Sequence, residues 1–200
     1  QAYESVNAGK FERSKFLGCE LCGKTLAVIG FGKIGSRVAE IAKVLGMEIL
    51  VYDPFADKAK VEALGYKKYN TVEELLPLCD CLTVHVPKNK DTVDLIKEDN
   101  IYNMKKGALI VNCARGGIIN ECALAKALSE GYIAGAAIDV FVDEPNITEC
   151  PLYKASENLI MVPHLGASTI EAQVKVAKDV AEQAVEVLQG GKPKTPVNKI

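Results

Sequence analysis

The amino-acid sequence has no apolar run that approaches the roughly 20 residues needed to cross a lipid bilayer. Its first residues also contain no positively charged segment followed by an apolar core, which is the pattern of a secretory signal peptide. These two absences argue against a membrane partner and against export. We therefore expect the protein to work in the cytoplasm.

The sequence also lacks an excess of charge of one sign. It contains 24 basic and 26 acidic residues, spread along the chain, and its formal net charge at pH 7 is −2. A protein that binds nucleic acid needs a basic stripe to neutralise backbone phosphates, and the sequence has no such stripe. We expect no nucleic-acid partner.

The seven cysteines give no sign of a disulfide framework or of a metal site. Their number is odd, and several lie inside apolar stretches, as Cys79, Cys81 and Cys113 do, which is typical of reduced thiols in a cytosolic protein. Cys19 and Cys22 form a C-x-x-C spacing, but no second pair and no histidine follows at zinc-finger distance. We expect no bound metal.

What the sequence does contain is a regular alternation of short β-rich runs with helical stretches. The chain is 48% apolar and 25% charged, as in a globular domain that can bury a core. Strands that alternate with helices indicate βαβ units, and nearly continuous apolar strands indicate a sheet covered on both faces. The pattern predicts an α/β fold of the Rossmann type, a doubly wound parallel sheet with helices on both faces. The predicted strands are 25–29, 48–52, 81–84, 108–113, 134–140 and 159–162.

Helix signals lie between these strands. Apolar residues at helical spacing predict a helix over 34–45. Thr71 and Glu74 form a capping box before a further helix, and Asn120 is placed to cap a helix over 121–129.

The last and longest predicted helix begins at Ser168, where Glu171 completes a second capping box, and runs to the glycines at 190 and 191. These signals predict one nucleotide-binding domain over residues 18–190. Residues 1–17 are polar and partly helical, and we interpret them as an entry segment. Residues 191–200 resemble a linker. Both ends look cut from something larger, so we expect most of a substrate domain to be absent.

Residues 30–35 read Gly-Phe-Gly-Lys-Ile-Gly, which is the G-x-G-x-x-G pattern, directly after one predicted strand and directly before a predicted helix. Gly30 lets the chain turn sharply, Gly32 lets backbone N–H groups approach a pyrophosphate, and Gly35 lets the helix pack against the strand. The helix N-terminus adds a partial positive charge. The segment therefore predicts a site for the diphosphate of a dinucleotide.

Asp53 closes the next predicted strand, close to the distance from the glycines that the dinucleotide pattern requires. Its carboxylate would accept hydrogen bonds from the adenosine ribose, and its charge would repel a 2′-phosphate. NAD is therefore favoured over NADP. The alternative is a glycine turn with no ligand, followed by an aspartate that only opens a loop before Pro54.

Arg115, Glu144 and His164 each follow a later predicted strand, at the edge where open α/β sheets bind ligands. Arg115 offers paired donors for an α-carboxylate. His164 would exchange a proton with the substrate oxygen, and Glu144 on the other ring nitrogen would fix the tautomer and favour the protonated imidazole. Taken singly, each has a plainer interpretation, as a surface cation, a turn residue and a helix cap. Together they suit hydride transfer, in which the protein orients the substrate and moves one proton.

Four segments carry a resemblance to the D-2-hydroxyacid dehydrogenase family, and they span nearly the whole chain. They are the glycine loop, Asn-Cys-Ala-Arg-Gly-Gly at 112–117, Asp-Val-Phe with Glu-Pro between 139 and 145, and Pro-His-Leu-Gly-Ala-Ser-Thr at 163–169. The resemblance implies catalysis by Arg115, Glu144 and His164. It implies an NAD site lined by Lys33, Ile34, Asp53, Cys113, Ala114, Arg115, Asp139, His164, Gly166 and Ala167, with His85, Val86 and Pro87 as pocket wall.

The resemblance also implies a small 2-hydroxy acid or 2-oxo acid as substrate, and a homodimer or homotetramer of the complete protein. Gly-Ala-Ser-Thr at 166–169 favours 3-phosphoglycerate as the hydroxy acid, and glyoxylate or hydroxypyruvate remain alternatives. Glu144 argues against formate, because relatives that act on formate have an amide there. A second hypothesis is a non-catalytic NAD sensor, which would not need Arg115, Glu144 and His164 together.

Overall fold

The computed structural model describes residues 1–196 and divides into two compact units. The first unit is Gln1–Met161, and the second begins at Val162. The first unit contains a sheet of seven strands in which every neighbouring pair is parallel, in the order β3-β2-β1-β4-β5-β6-β7. The strands are β1 (Thr25–Ile29), β2 (Glu48–Tyr52), β3 (Lys67–Tyr69), β4 (Cys81–Val84), β5 (Leu109–Asn112), β6 (Gly135–Ile138) and β7 (Leu159–Met161).

Most helices of the first unit lie between consecutive strands, as the βαβ pattern requires. Helix α1 (Ala2–Asn7) precedes the sheet. The helices between strands are α2 (Lys33–Val44), α3 (Lys58–Ala63), α4 (Val72–Leu75), α5 (Glu98–Ile101) and α6 (Glu121–Ser129). The second unit contains the long helix α7 (Ile170–Leu188). Within residues 1–196, no helix combines the length and the apolar character needed to cross a membrane.

Side chains on opposite faces of the sheet pack into separate cores. Successive side chains of a strand point to opposite faces, so the continuous apolar sequence of β1 supplies both cores. On one face, Leu26 and Val28 pack with Ala39 and Ala42 of α2 and with Val61 of α3. On the other face, Ala27 and Ile29 belong to the core that includes Leu75 of α4, Ile101 of α5 and Leu124 of α6. The predicted doubly wound sheet with helices on both faces is confirmed.

The strand order reverses between β1 and β4, which are neighbours in the sheet although β2 and β3 lie between them in sequence. In open α/β sheets, a crevice forms at such a reversal outside the carboxyl ends of the strands. The glycine loop follows β1 and the segment from His85 to Pro87 follows β4. The topology therefore places these two segments on the two sides of the crevice.

The structure corrects the predicted start of the last helix. The cap of α7 is Thr169, whose hydroxyl accepts a hydrogen bond from the N–H of Ala172 at 3.1 Å, so the helix begins at Ile170 and not at Ser168. The predicted capping box of α4 is half correct. Thr71 accepts from the N–H of Glu74, but the Glu74 carboxylate accepts from Asn70, one residue before the cap.

Candidate functional site

The glycine loop is held by close backbone contacts that exclude a side chain. Gly30 has φ of +91°, and a Cβ atom there would lie 2.8 Å from the carbonyl of His85. A Cβ atom at Gly35 would lie 2.0 Å from the carbonyl oxygen of Gly30. The glycine loop after β1 therefore packs directly on the loop after β4. The first turn of α2 packs directly on the glycine loop.

Gly32 is the N-cap of α2, and its surroundings differ from those of the other two glycines. No atom lies within 4 Å of the position that a Cβ atom would take. The first N–H groups of a helix have no partner within the helix and carry a partial positive charge. Open space in front of this helix start is what a diphosphate requires.

Both carboxylate oxygens of Asp53, which directly follows β2, accept hydrogen bonds from nearby backbone N–H groups. One accepts a hydrogen bond from the N–H of Phe31 in the glycine loop at 2.7 Å, and the other accepts from the N–H of Phe55 at 2.8 Å. The sequence did not predict the contact with the glycine loop. Because each carboxylate oxygen has two lone pairs, both oxygens can still accept a bond from a ribose hydroxyl.

His85 is half-buried in the loop after β4. Its Nε2 atom lies 3.0 Å from the hydroxyl of Thr83, and burial lowers the pKa of its imidazole below the usual 6.5. A neutral ring engaged with a neighbouring hydroxyl suits the wall of a pocket and does not suit an acid–base catalyst. This placement agrees with the predicted role of His85 as pocket wall.

A cavity of about 350 Å³ joins three of the predicted segments. It brings the start of α2 together with the loops after β4 and β5. Lys88 is a lining residue that the sequence did not single out, and it places a second cation beside Arg115. The lining residues are Ile34, His85, Val86, Pro87, Lys88, Cys113, Ala114 and Arg115.

Arg115 lies in a turn that the buried side-chain amide of Asn112 stabilises. Asn112, at the end of β5, is only 2% exposed. Its Nδ2 atom donates to the carbonyl of Arg115 at 3.0 Å, and its Oδ1 atom accepts from the N–H of Ala114 at 3.0 Å. The guanidinium is exposed, and its Nη1 atom donates to the carbonyl of Ala114 at 2.6 Å. The turn thus fixes the backbone of Arg115 and leaves most of its donors available to a ligand.

Asp139 follows β6 beside this turn. It is 4% exposed, and its N–H donates to the carbonyl of Asn112 at 2.9 Å. Burial raises the pKa of the Cys113 thiol, and the negative charge of Asp139 raises it further. Cys113 and Asp139 are therefore near neighbours at the ends of adjacent strands, as the sequence predicted for two residues of one site.

Glu144 lies in the exposed segment between β6 and β7. Its Oε1 atom accepts a hydrogen bond from the N–H of Phe141 at 2.8 Å. The Arg115 turn contacts the same backbone, since a Cβ atom at Gly116 would lie 1.9 Å from the carbonyl oxygen of Phe141. The arginine and glutamate segments are therefore packed together within the first unit.

His164 belongs to the second unit and has an unusual backbone. Its φ is +55°, in the left-handed region that non-glycine residues rarely adopt, and its N–H donates to the carbonyl of Val162 at 3.1 Å. Such conformations are concentrated at functional sites. The turn continues through Gly166 to Ala167, whose carbonyl accepts from the Gln173 side chain at 3.0 Å.

Comparison with known proteins decides the family. Residues 1–166 match the model of the D-isomer specific 2-hydroxyacid dehydrogenase, NAD binding domain. The chain belongs to this family. The matched range includes the glycine loop, Arg115, Glu144 and His164.

Among sequence relatives, the D-3-phosphoglycerate dehydrogenase of Synechocystis sp. is 47% identical over 197 residues, which cover 98% of this chain and 35% of that protein. The D-3-phosphoglycerate dehydrogenase of Methanocaldococcus jannaschii is 46% identical over 198 residues, which cover 99% of this chain and 37% of that protein. The chain thus spans about a third of the length of these curated relatives.

Solved structures of the family superimpose closely on the chain. A glyoxylate reductase from Paecilomyes thermophila has a TM-score of 0.87 and 32% identity, covering 98% of this chain and 58% of that one. The NAD complexed form of a D-isomer specific 2-hydroxyacid dehydrogenase from Lactobacillus delbrueckii ssp. bulgaricus has a TM-score of 0.83 and 28% identity. The match covers 98% of this chain and 63% of that one.

Membership of the 2-hydroxyacid dehydrogenase family confirms the resemblance noted from the sequence, the Rossmann-type fold and the choice of NAD as cofactor. The first unit fits this cofactor in three respects. The helix start at Gly32 faces open space, a half-buried carboxylate closes β2, and a cavity extends from Ile34 to Arg115.

Proposed function

We propose that the protein containing this chain is an NAD-dependent dehydrogenase that interconverts 3-phosphoglycerate and 3-phosphohydroxypyruvate, the oxidation that leads toward L-serine. The observation that carries the proposal is the cavity that Arg115 lines together with Ile34 of α2 and the loop after β4. Such a cavity can hold part of a dinucleotide beside a guanidinium. The names of the relatives that match along almost the whole chain support the choice of substrate.

In this proposal the glycine loop and α2 bind the diphosphate of NAD, and Asp53 accepts hydrogen bonds from the adenosine ribose. His85, Val86 and Pro87 form the wall beside the adenosine. Cys113, Ala114 and Asp139 lie beside the nicotinamide, where Asp139 orients the carboxamide. Lys33, Ile34, Gly166 and Ala167 complete the cofactor contacts.

Arg115 binds the substrate carboxylate through its planar pair of donors and polarises the adjacent carbonyl. When bound, NAD would supply the acceptor for the hydride on C2 of the hydroxy acid, and NADH would supply the donor in the reverse direction. His164 takes the hydroxyl proton on oxidation and gives it back on reduction. Glu144 is the acidic residue that we assign to the same proton-transfer step.

The electrostatics of the cavity support an anionic substrate. Lys88 and Arg115 line it together, and Lys88 has no ion-pair partner among the residues that the structure describes. 3-Phosphoglycerate carries both a carboxylate and a phosphate. Two cations on one cavity suit such a substrate better than they suit glyoxylate, which has a carboxylate alone.

The experiment compares substrates in the complete enzyme. NADH oxidation is measured with 3-phosphohydroxypyruvate, hydroxypyruvate and glyoxylate, and we expect the highest kcat/KM with the phosphorylated acid. A preference for glyoxylate or hydroxypyruvate would favour the second candidate, a reductase like the Paecilomyes thermophila enzyme to which the chain is similar. NAD binding without turnover of any of the three would favour an NAD sensor.

The proton role of His164 has its own test in the same enzyme. We expect His164→Ala to lower kcat about 100- to 10,000-fold, because general acid–base catalysis commonly contributes that much. The Kd for NAD should change little. Near-normal turnover in this variant would remove His164 from the mechanism. The cytoplasmic location and the homodimeric or homotetrameric state remain predictions, and a relative from Arabidopsis thaliana carries the word chloroplastic in its name.

A further inference from the structure

Glu121 is the first residue of α6, yet its carboxylate interacts with a different part of the chain. One oxygen accepts a hydrogen bond from the N–H of Val142 at 2.7 Å. The other accepts from the thiol of Cys150 at 3.2 Å. Burial, and then the bond to Glu121, raises the pKa of the Cys150 thiol to about 11, so the thiol stays protonated and remains a donor. Glu121 therefore binds the β6–β7 segment on both sides of Glu144.

The segment between these two bonds has little packing of its own. Residues 142–149 are all exposed, whereas Phe141 before them and Leu152 after them are buried. A short 3-10 turn, Ile147–Glu149, is its one element of regular structure. An exposed segment with little buried apolar surface depends on polar contacts for a fixed conformation.

The peptide between Phe141 and Val142 connects Glu121 to the proposed catalytic residues. The N–H of Phe141 donates to Glu144, and the N–H of the next residue, Val142, donates to Glu121. Gly116 packs against the same peptide, with its Cβ position 1.9 Å from the Phe141 oxygen and 2.5 Å from the Val142 nitrogen. Fixing this peptide therefore fixes the surface on which the Arg115 turn rests, and it restrains the preceding peptide, whose N–H, that of Phe141, donates to Glu144.

We propose that Glu121 is a positioning residue that holds the β6–β7 segment so that the Glu144 carboxylate and the Arg115 turn keep one relative placement. The inference rests on the proposed function, in which Glu144 and Arg115 act in catalysis. A plainer explanation is that Glu121 only stabilises the positive end of α6, as acidic residues in a first turn do. That explanation does not require either carboxylate oxygen to bond to a distant segment, and both do.

The kinetic test is a double-mutant cycle in the complete enzyme, built from Glu121→Ala, Glu144→Gln and the double variant. We expect Glu121→Ala to lower kcat about 10- to 100-fold, since small displacements of a catalytic group cost that much. In the Glu144→Gln background the same change should cost clearly less, because only its effect on the Arg115 turn remains. The Kd for NAD should stay within about twofold throughout, because the glycine loop and Asp53 are untouched.

A second measurement follows the loop directly. Hydrogen exchange at the Val142 amide should accelerate in Glu121→Ala and stay slow in Glu130→Gln. Glu130 is the matched control because it caps the other end of α6 and bonds to the hydroxyl of Tyr102. Glu121→Gln, whose amide oxygen can still accept from Val142, should lie between Glu121→Ala and the unchanged protein. Cys150→Ser keeps a donor to Glu121 and should lose less activity than Cys150→Ala.

Two outcomes would overturn the inference. An equal loss of kcat on Glu121→Ala in both backgrounds would show a general structural effect, and slow exchange at Val142 in Glu121→Ala would show that the carboxylate does not hold the loop. A normal kcat in Glu144→Gln would instead remove Glu144 from the mechanism, and the proposed function would lose that residue together with this inference. The two failures are thus distinguishable.

Discussion

Asp53 connects cofactor choice to the shape of the glycine loop, because in the proposed site the carboxylate that accepts from the N–H of Phe31 would also bind the adenosine ribose. We predict that Asp53→Ala weakens NAD binding about 10- to 100-fold, the usual cost of losing hydrogen bonds to a charged group. The ratio of NAD to NADP affinity should fall as well, because the charge that repels a 2′-phosphate is gone. Calorimetric titration with both dinucleotides checks this.

Asp53→Asn separates the contribution of the negative charge from the contribution of the hydrogen bond to Phe31. The amide oxygen can still accept from the N–H of Phe31, so the loop should keep its shape, but the negative charge is lost. We therefore expect a smaller loss of NAD affinity and a similar fall in the NAD to NADP ratio. A ratio that stays constant in both variants would argue against the ribose contact.

His85 should make the stability of the fold depend on pH. Burial lowers the pKa of its imidazole in the folded state, so the unfolded chain takes up this proton first as the pH falls. The contribution of His85 to stability is present above a pH of about 6.5, the ordinary pKa of histidine, and is lost progressively below it.

We predict that the melting temperature of His85→Asn falls less than that of the unchanged protein between about pH 7.5 and about pH 5.5. Thr83→Val is the matched control, because it removes the hydroxyl that the ring contacts but keeps the titrating imidazole. That control should keep the full pH dependence. Parallel curves for His85→Asn and the unchanged protein would show that His85 does not contribute.

The β1–loop–α2 element contains two glycines, Gly35 and Gly32, that differ in the space around their Cβ positions. A Cβ atom at Gly35 would collide with the Gly30 carbonyl, so Gly35→Ala should lower stability by about 1–3 kcal/mol, as overpacking does. Gly32 faces open space, so Gly32→Ala should leave the melting temperature nearly unchanged. It should nevertheless weaken NAD binding about 10- to 100-fold, because the methyl group occupies the approach of the diphosphate.

Gly18→Ala is the control for both variants, since Gly18 has a normal backbone conformation and no atom within 4 Å of its Cβ position. It should change neither stability nor affinity. Denaturant unfolding and calorimetry measure the two quantities separately. If Gly32→Ala bound NAD as well as the control, the diphosphate would not lie at the start of α2.

Elements with an apolar run or a recognised cap were predictable from the sequence, and short charged elements were not. The strands 25–29, 48–52 and 81–84 and the helix 121–129 were predicted with the observed bounds, because apolar runs or a clear Asn cap define them. The strands predicted over 108–113 and 134–140 are shorter in the structure. The unpredicted elements α3, β3 and α5 are short and rich in charged residues, and they contain no apolar run that marks a helix or a strand.

The residues of the candidate site were likewise predictable only where a local sequence pattern marks them. The residues of the glycine loop and Arg115 follow patterns in which spacing reflects a physical requirement, so they could be proposed from sequence. Lys88 lines the cavity because of the strand order, and no local pattern marks it. Glu121 follows an N-cap, where an acidic residue indicates only a favourable helix start. Its bonds to Val142 and Cys150 depend on how α6 packs beside the β6–β7 segment, which local sequence does not specify.

The first unit brings together cofactor-site residues that are distant in sequence, and binding should therefore stabilise it as a whole. NAD that contacts the glycine loop, Asp53 and the cavity at Arg115 favours the folded state over the unfolded one. At a free concentration of about 100 times its Kd, a ligand adds about 2.7 kcal/mol of stability. For a chain of this size we predict that NAD raises the melting temperature by about 5–10 °C.

Thermal unfolding of the chain with increasing NAD measures this shift, and the Gly32→Ala variant supplies the control. It keeps the fold but obstructs the diphosphate site, so its melting temperature should rise by only about 1–5 °C at the same NAD concentration. NADP should also stabilise the unchanged chain less than NAD does, because of the charge of Asp53. Equal stabilisation of the variant and the unchanged chain would place the bound nucleotide elsewhere.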